Sequence, residues 1–324
     1  MSNEFSASRR RLLIASAAMA ASRVMPAYAQ EDETLRVGEG TVPDYTHFYV
    51  ADKMGLWRQN KLAVTPTMFP AGRLAVDALV AGKVDLAMSA ETPVMFAAVN
   101  GLPVQVIATV VKYQPFDLIA GPKIRDLNDL RGKRIAYVQG TNVHYYLDAL
   151  VRSRGLTWQD IAAINMPAGD IVPSLVSGAV DGFVWSEPLV SLALNHGPQF
   201  HRLHSEGLYF TYGCVSALRE TVKQRPEALA RALKALVAAD KIIKTEVPQA
   251  QNILSETLKI EPAATAALWP TLNFKVGLDR QPLIHVLEQQ TQWAMASKLT
   301  RPGATVPDYA AIVTEDICRK AGIV

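Results

Sequence analysis

The chain has 324 residues, with 33 Lys and Arg against 30 Asp and Glu, and two cysteines. Residues 1–29 hold four arginines and one glutamate, so the remainder is formally neutral, with 29 charges of each sign. This balance argues against the clustered basic surface of a nucleic-acid-binding protein, and two cysteines argue against a disulfide framework. About 295 residues exceed an ordinary single core, so we expect two lobes.

The N-terminus has the layout of an export signal. Ser8-Arg9-Arg10-Arg11 precedes a short, alanine-rich apolar run, and Ala27-Tyr28-Ala29 is a small-x-small cleavage site. The run is too short to span a membrane, so we expect cleavage after Ala29 and a periplasmic location. The arginine pair favours the twin-arginine route, which carries folded proteins. A disordered basic tail is the alternative.

Two segments 96 residues apart carry one pattern, LVAGKVDLAMSAET (79–92) and LVSGAVDGFVWSEP (175–188). Each is typical of a helix end, a glycine turn, a buried strand and a polar tip. Upstream, a strand runs into Gly-Thr in both copies, at 40–41 and 140–141. Because ligands bind at the carboxyl ends of strands in open α/β sheets, we infer two α/β lobes whose polar strand tips face a common gap.

Alternating patterns predict mostly parallel sheets flanked by helices. Lobe one is predicted from 34–118 with 213–324, and lobe two from 119–212. Predicted strands lie at 34–40, 62–69, 84–89, 103–111, 116–121, 134–139, 162–167 and 180–185, with a β-rich return at 201–218. Predicted helices lie at 47–57, 73–81, 93–100, 142–154, 172–177, 188–196, 225–245, 248–258, 262–270, 280–298 and 307–321. The two crossings, near 116–121 and 201–216, are expected to form the hinge.

Thr141, Asn142 and His144 stand where a strand ends and a helix begins. Unpaired N–H groups and the helix dipole favour a negative ligand there. Thr141 or Asn142 is equally suited to cap the helix, and His144 to pack in the core.

The repeat predicts two further polar tips, Ser89–Thr92 and Ser186–Glu187, with Trp185 as a flat apolar wall. Glu91 and Glu187 precede helices, where a carboxylate either interacts with the helix dipole or contacts a solute. Arg73 opens a helix and is suited to pair with an anionic head, unless it is simply solvated. The candidate ligand contacts are Thr41, Tyr45, Arg73, Ser89, Glu91, Thr92, Gly140, Thr141, Asn142, His144, Trp185 and Glu187, with Asp44, His47 and Tyr212 as weaker candidates.

Two segments, DLRGKRIAYVQGTNVHYYLDALVRSRGL (129–156) and GAVDGFVWSEP (178–188), resemble the solute-binding subunits of ABC importers for sulfonates, taurine, nitrate and thiamine precursors. The Gly-Thr-Asn-x-His turn and the Trp-x-Glu-Pro tip are the most specific pieces, and the resemblance extends over 35–322. It implies a two-lobed, type II periplasmic binding protein with extra C-terminal helices. It also implies a monomer without cofactor that delivers a solute to an inner-membrane permease with a separate ATPase subunit. The chain has no G-x-x-x-x-G-K-[ST] nucleotide loop of its own.

Two other functions remain open. Relatives include a sulfinate desulfinase with a cysteine nucleophile and a pyrimidine synthase with an iron-linked Cys/His cluster, but the first loop here has no cysteine. The chain also lacks a G-x-S-x-G elbow and a close-spaced set of metal ligands. A sensory protein that docks on a receptor is not separated from a transport protein by the sequence.

The sequence favours an organic anion as the solute. Arg73 and the helix start at 141–144 favour an anionic head, and Trp185, Tyr45 and Tyr145 favour an organic body. An aliphatic or aromatic sulfonate ranks first, a thiamine pyrimidine precursor second, and bicarbonate or nitrate third.

Overall fold

A computed structural model describes residues 32–114, 116–205 and 207–323. The predicted export segment, 1–29, lies outside these residues. Within the described ranges no helix combines the length and apolarity that crossing a membrane requires.

The first sheet brings together strands from the beginning, middle and end of the chain. Its six strands lie in the order β2 (Leu62–Phe69), β1 (Glu33–Gly40), β3 (Leu86–Ala90), β10 (Thr211–Leu218), β4 (Val104–Tyr113) and β11 (Asn273–Gly277). β1 is parallel to β2 and β3, whereas β10 is antiparallel to β3 and β4, and β11 to β4.

The second sheet is built from the middle of the chain alone. Its five strands lie in the order β7 (Ala162–Asn165), β6 (Arg134–Tyr137), β8 (Gly182–Trp185), β5 (Asp117–Ala120) and β9 (His201–Leu203). β6 is parallel to β7 and β8, and β5 is antiparallel to β8 and β9. The predicted two-sheet α/β architecture is confirmed. Both sheets are mixed because β5 and β10, which carry the chain between them, and the edge strand β11 run antiparallel to their neighbours.

Helices connect and cover the strands, as the alternating pattern predicts. The helices before β10 are α1 (Thr46–Lys53), α2 (Leu56–Gln59), α3 (Gly72–Val80), α4 (Glu91–Val99), α5 (Asn142–Ser153), α6 (Ala168–Val176) and α7 (Leu189–Leu194). Those after it are α8 (Arg219–Gln224), α9 (Pro226–Thr245), α10 (Val247–Leu258), α11 (Pro262–Leu268), α12 (Arg280–Ala296), α13 (Tyr309–Ile312) and α14 (Asp316–Ala321).

The structure differs from the predicted elements at several places. The helix predicted at 47–57 is two helices, because Gly55 between them adopts a left-handed conformation with φ +64°. The strand predicted at 116–121 belongs to the second sheet. The helix predicted at 172–177 begins at Ala168, and the one at 307–321 is two short helices.

The repeated Gly-x-Val-Asp pattern fastens neighbouring strands in both sheets. Asp85 Oδ2 accepts bonds from Arg36 N at 2.9 Å and Nε at 3.1 Å, and Arg36 Nη1 donates to Gly82 O. In the second sheet, Asp181 Oδ2 accepts from Arg134 N at 3.0 Å and Nε at 3.1 Å, and Arg134 Nη2 donates to Gly178 O. The repeat therefore fixes the framework of each sheet, and its aspartates are engaged there.

The C-terminal helices pack on the first sheet. Leu229, Leu233 and Leu236 of α9 are fully buried in a core shared with α1. Val237, which the helical pattern places on the same face, is 41% exposed. Cys214 and Cys318 are buried, unpaired thiols, and burial raises the pKa of both.

A buried carboxylate holds the return crossing against the first sheet. Glu91, at the start of α4, is fully buried. Its Oε2 accepts bonds from Thr211 Oγ1 and Tyr212 N, both at 2.9 Å, and its Oε1 accepts from Tyr209 Oη and from Gln290 Nε2 of α12. One side chain thus joins α4, α12 and the segment that leads back into β10.

Replacing Glu91 with Ala leaves these four donors without their acceptor in a buried site. Each unsatisfied buried group costs about 1–3 kcal/mol, so we expect a loss of at least ~3 kcal/mol in the free energy of unfolding, measured by urea denaturation. The matched control is Glu220→Ala, since Glu220 is exposed and accepts its hydrogen bond from Gln224, which is exposed as well. We expect the control to change the free energy by less than about 0.5 kcal/mol. Equal effects of the two changes would contradict the role of Glu91.

Candidate functional site

A small cavity lies where the strand ends of the two sheets meet, and we call it the inner cavity. Its volume is about 40 Å³, room for roughly three water-sized groups. Its lining comes from both sheets: Val42, Asp44, Tyr45, Ala71, Gly72, Arg73, Ala90, Pro93, Tyr113, Phe116, Thr141, Asn142, Val143, Trp185 and Ser186. This is the place that the paired strand tips predict.

Three helices begin at the inner cavity, and none of them is capped by a side chain. The N-cap residues of α3, α4 and α5 are Ala71, Ala90 and Thr141, and no side-chain cap bond is formed at any of them. Thr141 Oγ1 donates instead to Val138 O at 2.7 Å. At α3 and α5, Leu74 N and His144 N donate to the N-cap carbonyls, which leaves the N–H groups of Gly72, Arg73, Asn142 and Val143 for an anion. At α4, Pro93 has no N–H and Glu91 places a carboxyl group in the first turn, so the dipoles of α3 and α5 are the ones that favour an anion.

Arg73 is the cation in the lining. It lies in the first turn of α3, and its Nη1 donates to Gln139 O of the second lobe at 3.0 Å. Its side chain is 49% exposed, and its contact with Asp77 is a loose one of 3.7 Å. The guanidinium thus keeps donors free, in a position that borders the inner cavity.

Asp44 is the carboxylate in the lining. It is 4% exposed and accepts a hydrogen bond from Tyr113 Oη. Burial raises the pKa of Asp44 to about 6, and the Tyr113 hydroxyl partly offsets this effect. Below that pH the side chain is neutral, and the cavity then carries a net positive potential.

Aromatic rings close the inner cavity. Tyr45, Phe116 and Trp185 are buried in its lining. A Cβ at Gly72 would overlap the Tyr45 hydroxyl, and one at Gly40 would overlap its ring. Glycine at these two positions is what lets the tyrosine lie against the start of α3.

Five of the twelve candidate contacts lie at the inner cavity: Tyr45, Arg73, Thr141, Asn142 and Trp185. Asn142 Nδ2 also donates to Thr211 Oγ1 at 3.0 Å, so the start of α5 is tied to the return crossing. Contact of these five residues with a solute remains a prediction.

The other candidates lie elsewhere. Thr41, Ser89 and Thr92 do not line the cavity. The backbone N–H of Thr41 donates to Phe69 O, Ser89 Oγ donates to Ala90 O, and Thr92 is fully buried. Gly140 borders a neighbouring, outer cavity.

The two glutamates of the strand tips are both engaged within the protein. Glu91 is occupied by its four donors. Glu187 Oε2 accepts from Ser191 N in the first turn of α7 at 2.8 Å, and its Oε1 accepts from Arg202 at 3.0 Å. For Glu187 the structure thus shows the helix-capping role.

His144 turns away from the inner cavity into an aromatic cluster. Its ring lies 4.7 Å from Tyr137 and 5.0 Å from both Trp158 and Trp293, between ring centroids. Burial lowers its pKa to about 4, so the imidazole is neutral. His47, a weaker candidate, lies fully buried beside Asp240 of α9, and Tyr212 lies beside Lys112.

Sequence reasoning missed Tyr113 and Phe116. Tyr113 ends β4 and Phe116 lies between β4 and β5, a stretch that we assigned from the sequence to the hinge and not to a further polar tip. The signal was present, because a strand that enters the crossing must end at the gap between the lobes.

A second, larger cavity adjoins the first, and we call it the outer cavity. Its volume is about 470 Å³. It shares Arg73 and Pro93 with the inner cavity. Its other lining residues are Val76, Asp77, Val80, Phe96, Ala97, Asn100, Leu102, Gln139, Gly140, Asn165 and Leu299.

Solved structures share this fold. An alkanesulfonate-binding protein SsuA from Xanthomonas axonopodis pv. citri, bound to MOPS, superimposes with a TM-score of 0.77 at 23% identity, covering 88% of this chain and 99% of that one. A periplasmic nitrate-binding protein NrtA from Synechocystis gives a TM-score of 0.72 at 16% identity, covering 90% and 89%. At these identities the likeness establishes the periplasmic binding protein fold.

The sequence relatives of this chain are also named as binding proteins. A protein of Brucella abortus named as a binding protein is 25% identical over 246 residues, covering 74% of this chain and 76% of the relative. One of Escherichia coli named as an aliphatic sulfonates-binding protein is 24% identical, covering 69% and 71%. The family model described as NMT1/THI5 like matches residues 42–246. The chain therefore belongs to the NMT1/THI5-like family.

Proposed function

We propose that this protein is the solute-binding subunit of an ABC importer and captures a small organic anion between its two lobes. One observation carries the proposal: three uncapped helix N-termini and Arg73 surround a single cavity at the strand ends of both sheets. Dipoles and a guanidinium that converge on one point favour a negative group there.

The geometry also suits capture by closure. The lining comes from both lobes, so a solute in the cavity contacts both and stabilises the arrangement in which they face each other. The relatives named as sulfonate- and taurine-binding proteins support a transport role. The proposal includes a membrane permease with a separate ATPase subunit, a monomeric state, and export to the periplasm through residues 1–29 with cleavage after Ala29. We assign residues 33–113 and 211–323 to lobe one and residues 117–203 to lobe two.

A sulfonate is the preferred solute and a thiamine pyrimidine precursor the second. Asp44 supports the pyrimidine precursor as the second candidate, because an ionised carboxylate in the lining suits an amine or amidine group. A relative in Haemophilus influenzae named as a thiamine biosynthesis protein is 26% identical over 162 residues.

Catalysis is not part of the proposal. A relative in Schizosaccharomyces pombe is named as a pyrimidine phosphate synthase, at 29% identity over 47% of this chain and 44% of that one. The first loop here has no cysteine, and both thiols are buried with raised pKa. Protonated, enclosed thiols are poor nucleophiles and poor metal ligands.

Arg73→Ala tests the anion site. We expect the dissociation constant for butanesulfonate to rise at least tenfold, about 1.4 kcal/mol, because a charge-assisted contact is lost. Isothermal titration calorimetry of the purified protein, freed of co-purified solute, measures it. The matched control is Arg58→Ala, since Arg58 is exposed on α2; its constant is expected to match the wild type. An unchanged constant for Arg73→Ala would remove this residue from the site.

Asp44 predicts a pH dependence of binding. Its pKa of about 6 makes it neutral at pH 5 and anionic at pH 7.5. Butanesulfonate stays anionic throughout, so we expect its affinity to fall at least about fivefold over this range, ~1 kcal/mol of repulsion. Asp44→Asn is expected to flatten the profile. An amine-bearing solute is expected to show the opposite slope.

The matched control is Glu39→Gln. Glu39 is a second buried carboxyl whose pKa burial raises, to about 8, but it lies outside the cavity lining. This variant is expected to keep the wild-type profile. A profile that Asp44→Asn leaves unchanged would show that another group titrates.

A further inference from the structure

We propose that Trp293 of α12 fastens the two lobes together and thereby sets the affinity for a solute without contacting it. We call the contacts of Trp293 with α5 the latch. The closed arrangement is the one in this structure, in which Arg73 donates to Gln139 O across the gap between the lobes. The effect of the latch on affinity rests on the proposed function, because it requires a solute between the lobes, whereas its effect on the lobe positions does not.

Helix α12 is packed into lobe one. Leu283 and Leu287 are fully buried in a core that they share with residues of α3 and α4. Gln290, one turn before Trp293, donates to Glu91 at the start of α4. The helix therefore moves with lobe one, because any other movement would expose the two leucines and break this buried bond.

The indole of Trp293 contacts the other lobe. Its ring centroid lies 5.0 Å from that of His144 and 5.1 Å from that of Tyr145, and both contacts are T-shaped. Its Nε1 donates to Asp148 Oδ2 at 3.1 Å. These three residues lie in the first two turns of α5, whose Leu147 is fully buried in the core of lobe two. One side chain of lobe one thus holds α5 by two ring contacts and a hydrogen bond.

The acceptor of this hydrogen bond is a buried carboxylate. Asp148 is 4% exposed, and its Oδ2 also accepts from Arg152 Nε at 2.6 Å. A hydrogen bond to a charged acceptor contributes more than one between neutral groups. Because Asp148 keeps its pairing with Arg152, replacing the indole removes the bond between the lobes and leaves no buried charge unpaired.

The latch acts on the helix whose start faces the inner cavity. Thr141 and Asn142, at the start of α5, line the inner cavity, whereas Trp293 lies outside the described lining of both the inner and the outer cavity. Contacts made in the closed arrangement stabilise it relative to one in which α5 and α12 separate. The apparent dissociation constant of a solute that needs both lobes rises as the closed fraction falls. The latch therefore sets the affinity by setting that fraction.

The test is Trp293→Phe, which keeps an aromatic ring but loses the indole N–H. The matched control is Trp57→Phe, since Trp57 Nε1 donates to Asp52 Oδ1 at 2.8 Å, the same pair of groups within lobe one. Pulsed electron paramagnetic resonance of the solute-free whole protein measures the distance between spin labels at Thr67→Cys and Asp170→Cys, exposed positions in lobe one and lobe two. We expect the ratio of open to closed protein to rise at least fivefold in Trp293→Phe, about 1 kcal/mol, and to stay at the wild-type value in the control.

Affinity is the second readout. Methanesulfonate and butanesulfonate are titrated calorimetrically into the wild type and both variants. In Trp293→Phe we expect the two dissociation constants to rise by one common factor, equal to the factor by which the closed fraction falls. A common factor is the result for a residue that does not contact the solute, whereas a contact residue would discriminate between the two chains.

The outcomes separate the two proposals. If butanesulfonate binds but Trp293→Phe keeps the wild-type ratio of open to closed protein and the wild-type dissociation constant, the latch is overturned and the anion site stands. The latch is also overturned if Trp57→Phe changes the ratio equally. If the ratio rises as expected but neither sulfonate binds to the folded protein, the latch stands and the proposed anion site fails.

Discussion

The buried carboxylate of Glu91 fixes the geometry on which the cleft depends. A charge out of water costs several kcal/mol unless its lone pairs are satisfied, and here four donors converge on the two oxygens. They come from the return crossing and from α12, so these elements hold one position relative to α4. Thr211 serves both sides, since it donates to Glu91 and accepts from Asn142 at the start of α5. The positions of the cleft surfaces in both lobes therefore depend on the same buried group of hydrogen bonds.

Local sequence patterns predict the framework of strands in this structure. The Gly-x-Val-Asp repeat places two equivalent strands, and Arg36 and Arg134 show why, because each pairs with the aspartate of its own sheet. The strand tips, and with them Tyr45, Arg73, Thr141, Asn142 and Trp185, follow from these positions. The direction in which a tip side chain turns depends on distant partners: Tyr209 and Gln290 for Glu91, Arg202 for Glu187, and Trp293 for His144. A single sequence read locally carries no signal for those contacts.

The same contacts explain how a cleft with acidic tips remains suited to an anion. Glu91 is enclosed by its donors, and Glu187 is held by Arg202 and the first turn of α7. Asp44 alone faces the inner cavity, with its pKa raised by burial. The carboxylates of Glu91 and Glu187 are therefore engaged by donors, and Asp44 is neutral below a pH of about 6, so that Arg73 and the starts of α3 and α5 favour an anion there. The electrostatic potential at the cavity therefore depends on which charged groups are paired within the protein, and not on how many charged groups lie near it.

Leaving three helix N-termini uncapped at one cavity has a thermodynamic consequence. A side-chain cap typically contributes about 1 kcal/mol, so the unliganded protein forgoes that stabilisation at α3, α4 and α5. The hydroxyl of Thr141, for example, is in the capping position of α5 but donates to Val138 O. A bound anion would supply missing acceptors at α3 and α5 together and add its own binding free energy to the stability of the folded chain. Because α3 and α4 belong to one sheet and α5 to the other, that gain is complete only when the helices from both sheets converge on the same ligand. The uncapped termini thus link solute binding to the arrangement of the two lobes.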